Sequence, residues 1–147
     1  KCKTKLDFNI PVPVPGQLIV KKETVPDGSS QNFDFNLSGS ASGNFGGFED
    51  FSLTDGTEWN SGTELSGGLL AGTYTITESL VNDWDLKNIS CVSSRNSSTF
   101  SSVTNGKAVN LTAGDIVTCT FTNEQQSGHI IVNKVTNPSG DPQSFAA

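Results

Sequence analysis

The chain has 147 residues, room for one good-sized hydrophobic core and short extensions. Only 16% of residues are charged and the net charge is −6, so neither a disordered, charge-rich tail nor a phosphate-binding surface fits, and nucleic acid is excluded as a partner. Apolar runs such as 130–132 are far too short to span a bilayer, and no charged segment followed by an apolar one opens the chain, so a signal peptide is absent or removed.

In chain order, residues 1–15 read as an extended N-terminal arm that carries Cys2 and is stiffened by Pro11, Pro13 and Pro15. Alternation then marks a series of strands. Leu18, Val20 and Lys22 share one face of the first, and Phe33, Phe35 and Leu37 one face of the next. Phe51 and Leu53 run up to the turn Asp55-Gly56. After Ala71-Gly72, Tyr74, Ile76 and Glu78 alternate with Thr73, Thr75 and Thr77. Trp84, Leu86, Ile89 and Cys91 mark an irregular strand or two short ones. Val109 and Leu111, the turn Ala113-Gly114, and Val117, Cys119 and Phe121 read as a hairpin. Six to eight short strands without a convincing amphipathic helix predict an all-β, immunoglobulin-like sandwich.

The two ends of the chain repeat one another. Residues 16–33, GQLIVKKETVPDGSSQNF, align without gaps on residues 128–145, GHIIVNKVTNPSGDPQSF, with identities that include Gly16/Gly128, Val20/Val132, Lys22/Lys134, Pro26/Pro138 and Phe33/Phe145. The expected organisation is therefore an arm over 1–15, a sandwich over 16–127, and the first strands of a second repeat over 128–147. Either the chain continues into a tandem array, or that last strand is donated to a neighbouring subunit in a head-to-tail filament.

The motifs GTYTITE (72–78), Trp84-x-Leu86, Ile89-x-Cys91 and VTCTFTN (117–123), followed by a new I-V-x-K strand, resemble the prealbumin-like domains of the SpaA-type pilin and collagen-adhesin B-type class of bacterial surface proteins. The resemblance implies a prealbumin-like sandwich and an extracellular, non-enzymatic module of a stalk, pilus or fibre, commonly arranged in tandem. It also implies an intramolecular isopeptide bond, with Lys22 as the amine, Asn123 as the carboxamide and Glu78 as the proton shuttle. The residues support that assignment independently, because each falls on the apolar side of its own strand, where a Lys or Glu without a role is costly. Burial lowers the Lys pKa and raises that of Glu, so the two can exchange a proton and leave a nucleophilic amine. A protonated Glu78 is then expected to polarise the Asn123 carbonyl and to relay protons as ammonia leaves.

The three cysteines allow one disulfide and a spare, or free thiols; the resemblance pairs Cys91 with Cys119 and leaves Cys2 for an intermolecular bond or unpaired. Sequons at Asn36, Asn88, Asn96 and Asn110 admit N-glycosylation, the first, second and last on outward faces and Asn96 in a loop. His129 has no Cys or carboxylate cluster at metal-ligand spacing, and Asp27, Asp55 and Asp83 read as turn formers, so neither metal nor cofactor is expected. The partners expected are copies of the chain or neighbouring repeats. The rival reading is an adhesin that recognises a glycan or host protein through the Gly/Ser/Asn-rich segments 38–50 and 93–105.

Overall fold

A computed structural model describes residues 12–127. The expectations for residues 1–11, with Cys2, and for 128–147, with His129 and the second-repeat strand, lie outside the described residues. Within them the order is β1 (Gln17–Val25), β2 (Phe33–Gly39), β3 (Phe48–Leu53), β4 (Glu58–Asn60), α1 (Ser61–Glu64), β5 (Gly72–Glu78), β6 (Trp84–Ser93), β7 (Thr99–Val103), β8 (Gly106–Leu111) and β9 (Ile116–Gln125). No helix among them is long and apolar enough to cross a membrane.

The strands form the expected sandwich, one sheet ordered β4-β1-β9-β6 and the other β3-β2-β5-β8-β7. Leu18, Val20, Val117, Cys119 and Phe121 of the first sheet face Phe33, Phe35, Leu37, Tyr74, Ile76, Val109 and Leu111 of the second, all buried. The first and last strands lie side by side in the middle of their sheet. They run parallel and in register from Gln17↔Ile116 to Val25↔Glu124, whereas the other pairs are antiparallel.

Three sequence expectations change. β8 and β9 do not form a hairpin: β8 pairs with β5 and β7, β9 pairs with β1 and β6, and the turn at Ala113-Gly114 carries the chain from one sheet to the other. Alternation cannot separate the two cases, since both strands point apolar residues at the same core from opposite sides. The hairpin partner of β8 is β7, across a turn in which Asn105 adopts φ 55°. A Cβ on Gly106 there would run into the Ile76 carbonyl of β5. The segment 93–105 is accordingly no continuous loop, and β3 begins at Phe48 inside the segment 38–50.

The irregular stretch is one strand, β6, with a bulge. Lys87 is the extra residue between Leu86, opposite Asn123, and Asn88, opposite Thr122, so Leu86 and Ile89 both pack on the core despite their odd spacing. The short elements β4 and α1 were not expected. Trp59 of β4 stacks on Phe51 of β3 at 4.5 Å and closes one flank, while the Asn60 side chain caps α1 by accepting from Gly62 N at 2.7 Å.

Candidate functional site

Near the C-terminal ends of β1 and β9, Lys22, Asn123 and Glu78 of the facing β5 meet between the sheets, at 0%, 2% and 4% exposure. Each arrives there by the alternation that places its strand neighbours in the core. Lys22 Nζ donates to Asn123 Oδ1 at 2.7 Å, to Phe121 O at 3.0 Å and to Glu23 O at 2.9 Å. Asn123 Nδ2 donates to Glu78 Oε1 at 2.9 Å. The other carboxylate oxygen, Oε2, is buried without a hydrogen bond and stands 3.6 Å from Lys22 Nζ.

Aromatic side chains wall the group off from water. The Phe33 ring lies 4.3 Å from Nζ, and Trp84 meets Phe33 edge-on at 5.4 Å. Phe35 packs edge-on against Phe121 at 5.1 Å. Burial pulls the Lys22 amine below its ordinary pKa, against the attraction of Glu78. It pushes the Glu78 carboxyl up, against its contacts with Asn123 and Lys22. Both shifts move the pair towards neutral amine and neutral acid.

The sequence reading places Glu78 on the Asn123 carbonyl; in the structure it faces the amide nitrogen instead, and the carbonyl oxygen accepts from Lys22. An ionised carboxylate only accepts and an ammonium only donates, so the amide turns its N–H side to Glu78 and its oxygen to Lys22. The carboxylate thus bridges two nitrogens, one oxygen towards the Lys22 amine and the other on the Asn123 amide nitrogen.

Cys91 and Cys119 sit directly opposite on β6 and β9 and are joined by a disulfide with S–S 2.04 Å. Asp115 is a buried carboxylate that the sequence reading missed. It accepts from the hydroxyls of Ser93 (2.5 Å), Ser98 (2.5 Å) and Ser94 (2.8 Å) and from Arg95 N (3.0 Å), pinning the segment 93–98 to the start of β9. Burial alone would raise its pKa, but these donors outweigh it and hold the carboxyl well below the usual carboxylate range. The signal was present: Asp115 has the same parity as Val117, Cys119, Phe121 and Asn123, all of which face inward.

Asp55 acts as a turn former, its two oxygens accepting from Thr24 N at 2.6 Å and Gly28 N at 2.7 Å, with Glu23 and Asp27 close by. Of the sequons, Asn88, Asn96 and Asn110 are exposed and Asn36 is half-buried on an outer face, where its amide donates to Asp50 at 2.7 Å. Ser98, the hydroxyl residue of the Asn96 sequon, is buried on Asp115.

Residues 18–125 match the family model described as a prealbumin-like fold domain. In structure the chain is similar to the major pilin from Streptococcus pyogenes, with 17% identity, 78% of this chain and 49% of that chain covered, and a TM-score of 0.56. It is similar to the T-13 major pilin from Streptococcus pyogenes, with 15% identity, 77% and 46% covered, and a TM-score of 0.51. It also resembles a pilus-presented adhesin, with 16% identity, 78% and 28% covered, and a TM-score of 0.50. The chain therefore spans half or less of each of those chains. No curated protein matches it in sequence.

Proposed function

This chain belongs to the prealbumin-like fold domain family, and from that premise we propose that it is a structural module of an extracellular stalk, pilus or fibre, clasped by a Lys22–Asn123 isopeptide bond. The observation that carries the reading is the buried contact of Lys22 Nζ with the Asn123 side chain, bridged on the far side by Glu78. Likeness to pilins and to a pilus-presented adhesin supports the setting. The repeat at 128–145 supports a chain of such modules, in tandem or linked head to tail through the second-repeat strand, so the natural partners are other copies.

The chemistry follows from the geometry. Lys22 yields a proton to Glu78 Oε2, and its neutral amine attacks Asn123 Cγ at a distance set by folding alone. Glu78 passes that proton on to Nδ2 and takes a second one from the newly bonded Nζ, the Cγ–Nδ2 bond breaks, and ammonia departs as the Nζ–Cγ amide forms. Of the nitrogen-bound protons, one stays on the new amide, three leave with ammonia, and one rests on Glu78 until it passes to ammonia or water. The event occurs once per molecule, so it is self-modification and not enzyme turnover.

By analogy with a disulfide closing a loop of similar length, the bond stabilises by roughly 4 to 5 kcal/mol. The expected intact mass of the purified chain is lighter than the sequence mass by one ammonia, besides the hydrogens lost to the disulfide. Asn123→Ala must show no such loss; a wild-type mass that retains the ammonia removes the clasp. Electron microscopy of the native material tests the setting, with filaments or stalks expected and dispersed single particles against it.

A further inference from the structure

The outer face of the five-stranded sheet differs from the rest of the surface. Its outward residues are Asp34, Asn36 and Ser38 on β2, Phe48, Asp50 and Ser52 on β3, and small hydroxyl, amide or aliphatic side chains on β5, β8 and β7; among the described residues none of them is a Lys or Arg. The outer face of the other sheet, by contrast, carries Lys21 next to Glu23.

Three cross-strand pairs line up along β2 and β3: Ser38 opposite Phe48, Asn36 opposite Asp50, and Asp34 opposite Ser52. Phe48 is 62% exposed. A single exposed aromatic is ordinary; its neighbours give this one a purpose. Asn36 donates to Asp50 Oδ1 at 2.7 Å, and Ser52 donates to Asp34 Oδ1 at 2.5 Å. Each contact fixes a carboxylate in place and leaves its second oxygen to accept from outside. The Asn36–Asp50 and Asp34–Ser52 pairs line a shallow groove of about 320 Å³ that ends at Ser79, near the lower limit for small-ligand sites, and Phe48 stands beyond its lining, one pair further along β3.

A ring platform one pair-step, about 7 Å, from an oriented carboxylate suits a ligand with an apolar C–H face and a rim of hydroxyl donors. That is the chemistry of a pyranose. With two carboxylates and no cation on the face, a sugar bearing its own carboxylate is repelled. We infer that the outer face of β2 and β3 binds neutral glycans, with Phe48 stacking on a sugar ring and Asp50 and Asp34 accepting from its hydroxyls. The site is separate from the clasp and does not depend on it.

The test is an amide NMR titration of the full chain, made without N-glycosylation because a glycan on Asn36 would lie in this face. Cellotetraose and chitotetraose serve as neutral probes and sialyllactose as the anionic one. The expected result is that at least one neutral probe shifts the amides of Ser38, Phe48 and Asp50, and sialyllactose does not. Phe48→Ala and Asp50→Asn should each weaken binding by about tenfold, the scale of one lost stacking or charge-assisted contact, with Leu80→Ala unchanged. Both are outer-face substitutions, and wild-type-like spectra elsewhere report that the fold is kept. Shifts absent with both neutral probes, shifts that persist undiminished in Phe48→Ala, or preference for sialyllactose would each overturn the inference. So would sedimentation in which Phe48→Ala abolishes self-association while sugars shift nothing, since the face would then be a protein contact.

Discussion

Two buried carboxylates do opposite work, and their surroundings decide which. Glu78 has one amide donor and an ammonium 3.6 Å away, too little to offset burial, so its pKa rises and it can carry a proton. Glu78→Gln keeps the shape and removes that capacity; its expected mass retains the ammonia, and its stability falls by roughly 4 kcal/mol on urea unfolding as the cross-link is lost. Asp115 has a full set of donors and stays ionised. A carboxyl whose folded pKa is depressed stabilises the fold above its unfolded pKa of about 3.9, and that contribution fades as pH falls towards the folded value. Asp115→Ala, which strands three serine hydroxyls, is expected to cost about 3 kcal/mol at pH 7. The gap between variant and wild type in urea melts should hold down to about pH 4 and narrow only in stronger acid; a gap that is the same at low and neutral pH contradicts this account.

At the scale of elements, the bulge in β6 supports the site indirectly. Because Lys87 is the extra residue, Trp84 and Leu86 keep facing the core after the phase break, and Trp84 braces Phe33, which covers Lys22 Nζ. Inserting an alanine between Trp84 and Asp85 should turn Trp84 outward and cost about 3 to 5 kcal/mol, the range for losing a buried Trp. Deleting Lys87, by contrast, leaves Leu86 and Asn88 opposite the consecutive partners Asn123 and Thr122 and keeps Trp84 inward. Lys87→Ala, which removes only a half-exposed pair with Glu124 at 3.8 Å, should stay within about 0.5 kcal/mol. Equal urea midpoints for the insertion and for Lys87→Ala would show that the phase of that end of β6 is incidental.

The same strand shows what a single sequence can reveal. Strands with unbroken alternation, β1, β2, β5 and β9, were legible, and with them Lys22, Glu78 and Asn123, because a polar residue in phase with apolar ones is conspicuous. The break at Lys87 was legible as an irregularity but not as a bulge. The sheet change between β8 and β9 was hidden, because a short Ala-Gly turn serves a hairpin and a crossover alike. Its structural mark is Asp115, whose donors come from a segment some twenty residues away. β4 and α1, of three and four residues, are shorter than any period that could reveal them.

For the whole molecule, what matters is that the first and last strands are parallel neighbours. Tension applied at the two ends of the module enters β1 at its start and leaves β9 at its end, shearing the pair along its length. With Lys22 and Asn123 joined, the load passes from one strand to the other through that amide, and the intervening chain, including the Cys91–Cys119 loop, bears none of it. The disulfide then staples β9 to β6 without a mechanical part. Without the amide, the module unravels up to the disulfide, which withholds its 28-residue loop. In single-molecule pulling, wild type should show no unfolding step, and dithiothreitol should change nothing. Asn123→Ala should give one step that lengthens by about 100 Å on reduction, the span of that loop fully extended. A wild-type step that also lengthens on reduction would place the disulfide in the path of the force and the clasp outside it.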